Sequence, residues 1–152
     1  MAENEKTLGR IETQIASLMR LGEATQRGSA SAGEHRALDR AAYVLLRRLA
    51  EAGPQNVSAL AAHLNLDGST VTRQVSAMQR DGLVNREPDP MDGRGTVVSA
   101  TGLGLQRVAT VQAARTRLYG QILTQWSEAD RKTLAALLER LNDALGAHVQ
   151  RR

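Results

Sequence analysis

Ser69, Thr72, Arg73 and Ser76 recur at spacings that, at 100° per residue, place them on one side of an α-helix, with Val71, Val75 and Met78 on the other. Short hydroxyls let a backbone approach a duplex closely, and a guanidinium reaches guanine O6 and N7 or a phosphate. The chemistry of that polar side is major-groove reading. A plain amphipathic surface helix has the same division, and the segment C-terminal to the helix separates the two cases. That segment carries Asp89-Pro90-Met91-Asp92-Gly93-Arg94-Gly95, where Pro and Gly fix backbone turns and Arg94 projects from the end. A guanidinium on such a tip can enter a minor groove, where negative potential is strongest over narrow A·T tracts. Asp89 and Asp92 would repel phosphate if left unpaired. The expectation is that Asp92 pairs with Arg94 or Arg86 and stiffens the tip.

Other chemistries find little support. With no Cys there is no disulfide, thiolate metal site or thiol redox switch. His35, His63 and His148 are scattered, without a His-Glu-x-x-His run, a Gly-x-Ser-x-Gly elbow or a phosphate-cradling Gly-Lys-Ser/Thr loop. No catalytic residue, metal or cofactor is expected. Net charge is +4, a balance that permits nucleic-acid binding without establishing it. Residues 54–101, which hold the candidate reader, carry four basic and five acidic side chains.

The elements that must position these residues are set by apolar spacing and punctuation. At 152 residues with no Phe, one Trp and two Tyr, the chain should form one domain whose interior is Leu, Val, Ile and Ala, typical of packed helices. Leu8, Ile11, Ile15, Leu18 and Met19 predict a first helix over 7 to about 27, closed by Gly28 and Ser29. A second should span about 34–51, with Leu38, Ala42, Leu45, Leu46 and Leu49 inward and Arg36, Arg40, Arg47 and Arg48 on a solvated or phosphate-facing side, until Gly53 and Pro54 stop it. Ser58 is expected to cap a short helix burying Leu60, Ala61 and Leu64, and Asp67 to cap the helix bearing Ser69 to Met78. After Asp81-Gly82, residues 83–87 and 96–100 read as strands around the turn-rich loop. Thr101 caps a helix over 102 to about 125, and Ser127 with Asp130 opens a last helix bearing Leu134, Leu137, Leu138, Leu141, Leu145 and Val149. The fold class is therefore mainly α with a small β-hairpin wing: a winged helix-turn-helix at 34–101, flanked by helical segments 1–33 and 102–152. A terminal helix so rich in leucine has little to pack on within a small domain. It is expected, with the first helix, to meet its counterpart in a second subunit. Without an apolar run of membrane-spanning length or a signal-peptide core, a cytoplasmic address is expected.

Over essentially its whole length this order resembles the multiple-antibiotic-resistance regulator (MarR) family. Leu60-Ala61-Ala62-His63-Leu64-Asn65-Leu66, Ser69-Thr70-Val71-Thr72-Arg73 and Asp81-Gly82-Leu83-Val84 are similar to that family's helix-turn-helix and its exit. Pro88 to Arg94 and Ser99-Ala100-Thr101-Gly102-Leu103-Gly104 are similar to its wing and the start of its next helix. Gly93, where a basic residue is common, and the acidic first half of the wing depart from the pattern. The resemblance implies a homodimeric transcription factor, with Ser69, Thr70, Thr72 and Arg73 at the major groove, Arg94 in the minor groove, and the first, fifth and sixth helices forming the dimer. Leu8, Ile11, Ile15, Leu134, Leu138, Leu141 and Leu145 would then lie in the interface. It also implies a double-stranded DNA operator and a small aromatic or phenolic effector, for which Met19, His35, Tyr43 and Trp126 are candidate pocket residues. The rival reading is a winged helix that binds protein instead of DNA, such as an anti-repressor, because fold does not fix function.

Overall fold

Local caps set where most helices begin. The computed structural model describes residues 2–30 and 38–151, in the order α1 (Ala2–Ala30), α2 (Arg40–Ala52), β1 (Gln55–Asn56), α3 (Val57–Leu64), α4 (Gly68–Arg80), β2 (Val84–Pro88), β3 (Thr96–Ala100), α5 (Gly102–Ile122) and α6 (Glu128–Gln150). Asp67, Thr101 and Ser127 cap α4, α5 and α6 as the sequence predicts, each accepting a backbone N–H three residues on. Two starts differ. Asp39 caps α2, and Asn56, not Ser58, caps α3 by accepting the Ser58 N–H at 2.8 Å. Residues 31–37, with the expected helix start near 34 and the candidates His35 and Arg36, lie outside the described residues.

The chain divides into two compact units, Met1–Ala37 and Leu38–Arg152. In the first, α1 has Glu3 and Glu5 in its opening turn, where a negative charge favours the helix dipole. Its Leu8, Ile11, Leu18, Met19 and Leu21 are exposed and Ile15 is half-buried.

In the second unit, Leu38, Ala42, Leu45, Leu46 and Leu49 at the start and along one face of α2 meet Leu60 and Ala61 of α3 and Val71, Val75 and Met78 of α4. Leu83, Val84, Val98 and Val108 complete this core. Fourteen buried apolar residues in one cluster hold the three helices rigidly together, since interiors pack at crystal-like density. The sheet is antiparallel in the order β1-β3-β2, with Val84 opposite Ala100 and Pro88 opposite Thr96. The short strand β1, not predicted from the sequence, pairs Gln55 with Val98 and Asn56 with Val97.

α5 buries only Gly104 and Val108, both in its first turns, with the partly buried Val111 packed against the core beyond them. Gly104 lies so near the segment that leaves α4 that an added Cβ would fall 2.1 Å from the Leu83 carbonyl oxygen. α6 buries no residue at all, leaving Leu137, Leu145 and Val149 about half exposed at 53%, 52% and 51%. Near its end Gly146 passes Asn65, the left-handed residue that closes α3. Among the described residues no helix is long and apolar enough to cross a membrane.

Candidate nucleic-acid interface

Helix α4, the candidate reading helix, is held by its inner face and by its first turn. Val71 and Val75 are fully buried and Met78 nearly so, which turns Ser69, Thr72 and Arg73 outward, all three exposed. Thr70 and Ser76 are half-buried at the margins of that surface. At the N-terminus Asp67 accepts three hydrogen bonds: from Ser69 Oγ at 2.5 Å, Thr70 N at 2.8 Å and Thr70 Oγ1 at 2.7 Å. Those donors, the Ser69 hydroxyl first, hold its carboxyl well below the usual carboxylate range. Further along, Thr72 Oγ1 donates to Gly68 O at 2.8 Å and Ser76 Oγ to Thr72 O at 2.9 Å. The Arg73 guanidinium is exposed and has no hydrogen bond or ion pair among the described residues.

One side chain the sequence did not single out braces the helix. Gln74 Nε2 lies 3.3 Å from each carboxylate oxygen of Asp39, which caps α2 through Ala42 N at 2.7 Å. A glutamine on a polar helix flank has no sequence signal of its own; only the packing of α2 against α4 reveals the pairing.

Arg94 is exposed at the wing tip, but the wing is stiffened differently from the expected ion pair. Asp92 Oδ1 accepts the backbone N–H of Arg94 at 3.1 Å, forming a local turn in place of a bond to either guanidinium. Arg86, half-buried on β2, instead donates through Nη1 to Ser76 Oγ at 3.2 Å and joins the wing to α4. Ser76 is thus engaged at the seam between helix and wing. Asp89 accepts Met91 N and Asn56 Nδ2, each at 2.8 Å. These donors, Met91 N–H first, depress its pKa. Asp89 and Asp92, the two acidic residues of the wing loop, thus each accept hydrogen bonds that shape the turn.

The four candidate pocket residues are not brought together as one described site. Met19 belongs to the separate α1 unit and is exposed, and His35 is outside the described residues. Trp126 borders an open hollow of about 470 Å³ at the α5–α6 elbow with Gln125, Asp130, Thr133, Leu134 and Leu137. Tyr43 on α2 lies elsewhere, its ring 4.1 Å beneath the Arg115 guanidinium of α5. Arg47, one turn on, bonds Glu51, and Glu51 first and Tyr43 second raise its pKa. Of the interface candidates on α6, Leu134 and Leu141 are half-buried, and Leu138 and Leu145 are exposed at 38% and 52%. Among the described residues no three His, Asp or Glu side chains converge as a metal site.

A helix-turn-helix with a hydroxyl- and arginine-bearing second helix, flanked by a hairpin tipped with arginine, defines a winged helix-turn-helix DNA reader. The sequence pattern of the MarR family fits residues 38–96. YxaD of Bacillus subtilis (strain 168), an uncharacterised HTH-type transcriptional regulator, is 34% identical over 142 residues, 93% of this chain and 97% of its own. IacR of Pseudomonas putida, an HTH-type transcriptional repressor, is 34% identical over 102 residues, 67% of this chain and 61% of its own. A solved MarR protein from Peptoclostridium difficile has a TM-score of 0.77 at 18% identity, covering 93% of this chain and 90% of its own. The chain belongs to the MarR family and is a DNA-binding transcriptional regulator.

Proposed function

We propose that the protein is a cytoplasmic homodimeric repressor and not an enzyme, presenting two α4 helices to successive major grooves about 34 Å apart on a pseudo-palindromic operator. The observation that carries this reading is the outward set of Ser69, Thr72 and Arg73 above buried Val71, Val75 and Met78. Arg94 then serves the adjacent minor groove, and bound protein represses by excluding polymerase. Dimer formation is supported by α6, whose Leu134, Leu138, Leu141 and Leu145 find no buried place in their own chain. In this reading Leu8, Ile11 and Ile15 of α1 join them. The repressor relative IacR supports the sign of regulation.

Release is assigned to a small aromatic or phenolic effector near Tyr43, with Met19, His35 and Trp126 as further candidates. Its support is the half-buried Tyr43 ring stacked under Arg115, which offers an aromatic face, a hydroxyl and nearby cations. Binding can release DNA only through different affinity for the two spacings of the reading helices.

The test is an electrophoretic shift on DNA from the chain's own upstream promoter at several salt concentrations. A specific complex should weaken steeply with salt, because neutralised phosphates release counterions. No sequence-dependent complex at low salt would overturn the repressor reading in favour of a protein-binding winged helix.

A further inference from the structure

Asn56 uses both ends of one amide. Its Oδ1 accepts Ser58 N at 2.8 Å and caps α3, while its Nδ2 donates at 2.8 Å to Asp89 Oδ2 on the wing, 33 residues later. Asp would cap as well but has no proton to give a second carboxylate, and Ser or Thr must make both bonds through one short hydroxyl, where the amide spreads acceptor and donor over two atoms. Gly95 leaves room for this bond: a Cβ there would lie 2.7 Å from Asn56 Nδ2 and 3.2 Å from Asp89 Cβ. The same carboxylate takes Met91 N through Oδ1, and the loop closes on itself through Asp89 N to Gly95 O at 3.0 Å and Gly95 N to Asp92 O at 2.8 Å. Asp89 is thus the point from which the turn is organised, and Asn56 ties that point to the helix-turn-helix. Arg94 sits directly before Gly95, inside the loop so fixed.

We propose that Asn56 is a positioning residue for minor-groove contact: by tying Asp89 to the cap of α3 it sets where the wing tip, and with it Arg94, stands relative to α4. The inference rests on the DNA-reading function of α4 and the wing. A hairpin tip held before binding avoids the ordering cost that a loose one incurs on the duplex. Arg86 to Ser76 holds the wing strand at its base; Asn56 to Asp89 holds the loop.

The test uses Asn56→Asp, which keeps a capping oxygen on α3 but sets a carboxylate against Asp89, and the swap Asn56→Asp with Asp89→Asn, which rebuilds the bond with donor and acceptor exchanged. Gly95→Ala supplies a third perturbation that adds no charge. In the free full-length protein, amide hydrogen exchange at Asp89, Met91 and Gly95 should quicken in Asn56→Asp and Gly95→Ala and return toward the original rate in the swap, with exchange in α3 unchanged. Affinity for the upstream promoter should fall about tenfold in Asn56→Asp, recover in the swap, and fall no further when Asn56→Asp is added to Arg94→Ala. Unaltered loop exchange in Asn56→Asp, or a swap as defective as the single variant, would overturn the proposal. So would an Asn56→Asp loss fully additive with Arg94→Ala. Failure of the unsubstituted protein to bind operator would instead overturn the repressor reading, and exchange, measured without DNA, would still decide the tie.

Discussion

Replacing Gly104 by Ala adds one methyl group at the closest approach between α5 and the reader. The new carbon would stand 2.1 Å from Leu83 O, 3.1 Å from Leu83 C and 3.2 Å from Leu46 Cδ2, against a carbon–oxygen contact of about 3.3 Å. More than an ångström of clearance must therefore come from backbone, because the oxygen is not on a movable side chain. That oxygen also accepts Thr101 N at 3.0 Å, and Thr101 Oγ1 donates to Gly82 O at 2.6 Å while capping Gly104 N. Lifting α5 off Leu83 strains this whole joint. Overpacking costs about 1–3 kcal/mol and a weakened hydrogen bond about 1 kcal/mol, while the better helix propensity of Ala offsets at most about 1 kcal/mol. A net loss of about 1–3 kcal/mol lowers Tm by roughly 2–12 °C for a chain of this size. The assay is thermal unfolding at one fixed protomer concentration, since association moves Tm. Gly102→Ala is the control: it lies in the same turn, and a Cβ there meets nothing within 4 Å, so Tm should hold or rise slightly. Equal melting of Gly104→Ala and the parent, or an equal drop in Gly102→Ala, would refute the close-approach argument.

Three further outcomes are expected. The Asp67 carboxyl has a pKa below its ordinary value, so its contribution is present above the unfolded value of about 3.9 and is lost as pH falls through the lower folded value. Asp67→Asn keeps an N-cap but not the charge, so in urea titrations its stability deficit at pH 7 should shrink once pH drops below about 4. Arg73→Ala should cost about 1–3 kcal/mol of operator binding if it reads a base, and Arg94→Ala should lower affinity and flatten the salt slope by about one; unchanged footprints would remove those assignments. Leu138→Glu or Leu145→Glu on α6 should shift sedimentation equilibrium toward monomer while the circular dichroism of the reader persists, and an intact dimer would exclude that face from the interface.

What the sequence revealed was what is local to it. Asp67, Thr101 and Ser127 were legible as caps because a cap acts three residues ahead, and Val71, Val75 and Met78 were legible as the buried side of α4 by helical period. Strand β3 was recovered at its full extent, 96–100. β1 was not visible, because two residues become a strand only by pairing with β3 some forty positions away. Ser58 looked like the cap of α3, yet the side chain of Asn56 reached the helix first. Pairings across the fold were beyond local reading. Arg86 found Ser76 instead of Asp92, and Asp89 found Asn56, because strand geometry and the packing of α3 decide which polar groups come within 3 Å.

The carboxylate at the head of α4 also bears on which bases the helix can prefer. A hydroxyl has one proton to give and two lone pairs, and the protons of Ser69 and Thr70 go to Asp67 while that of Thr72 goes to Gly68 O. What these side chains keep for an arriving duplex is the capacity to accept. In the major groove, protons are offered by adenine N6 and cytosine N4, so under the proposed docking of α4 the hydroxyls would favour amino edges and guanine acceptors would fall to Arg73. On that proposal, Asp67 and the Gly68 carbonyl, by holding these protons, would divide the labour of recognition between the hydroxyls and the guanidinium.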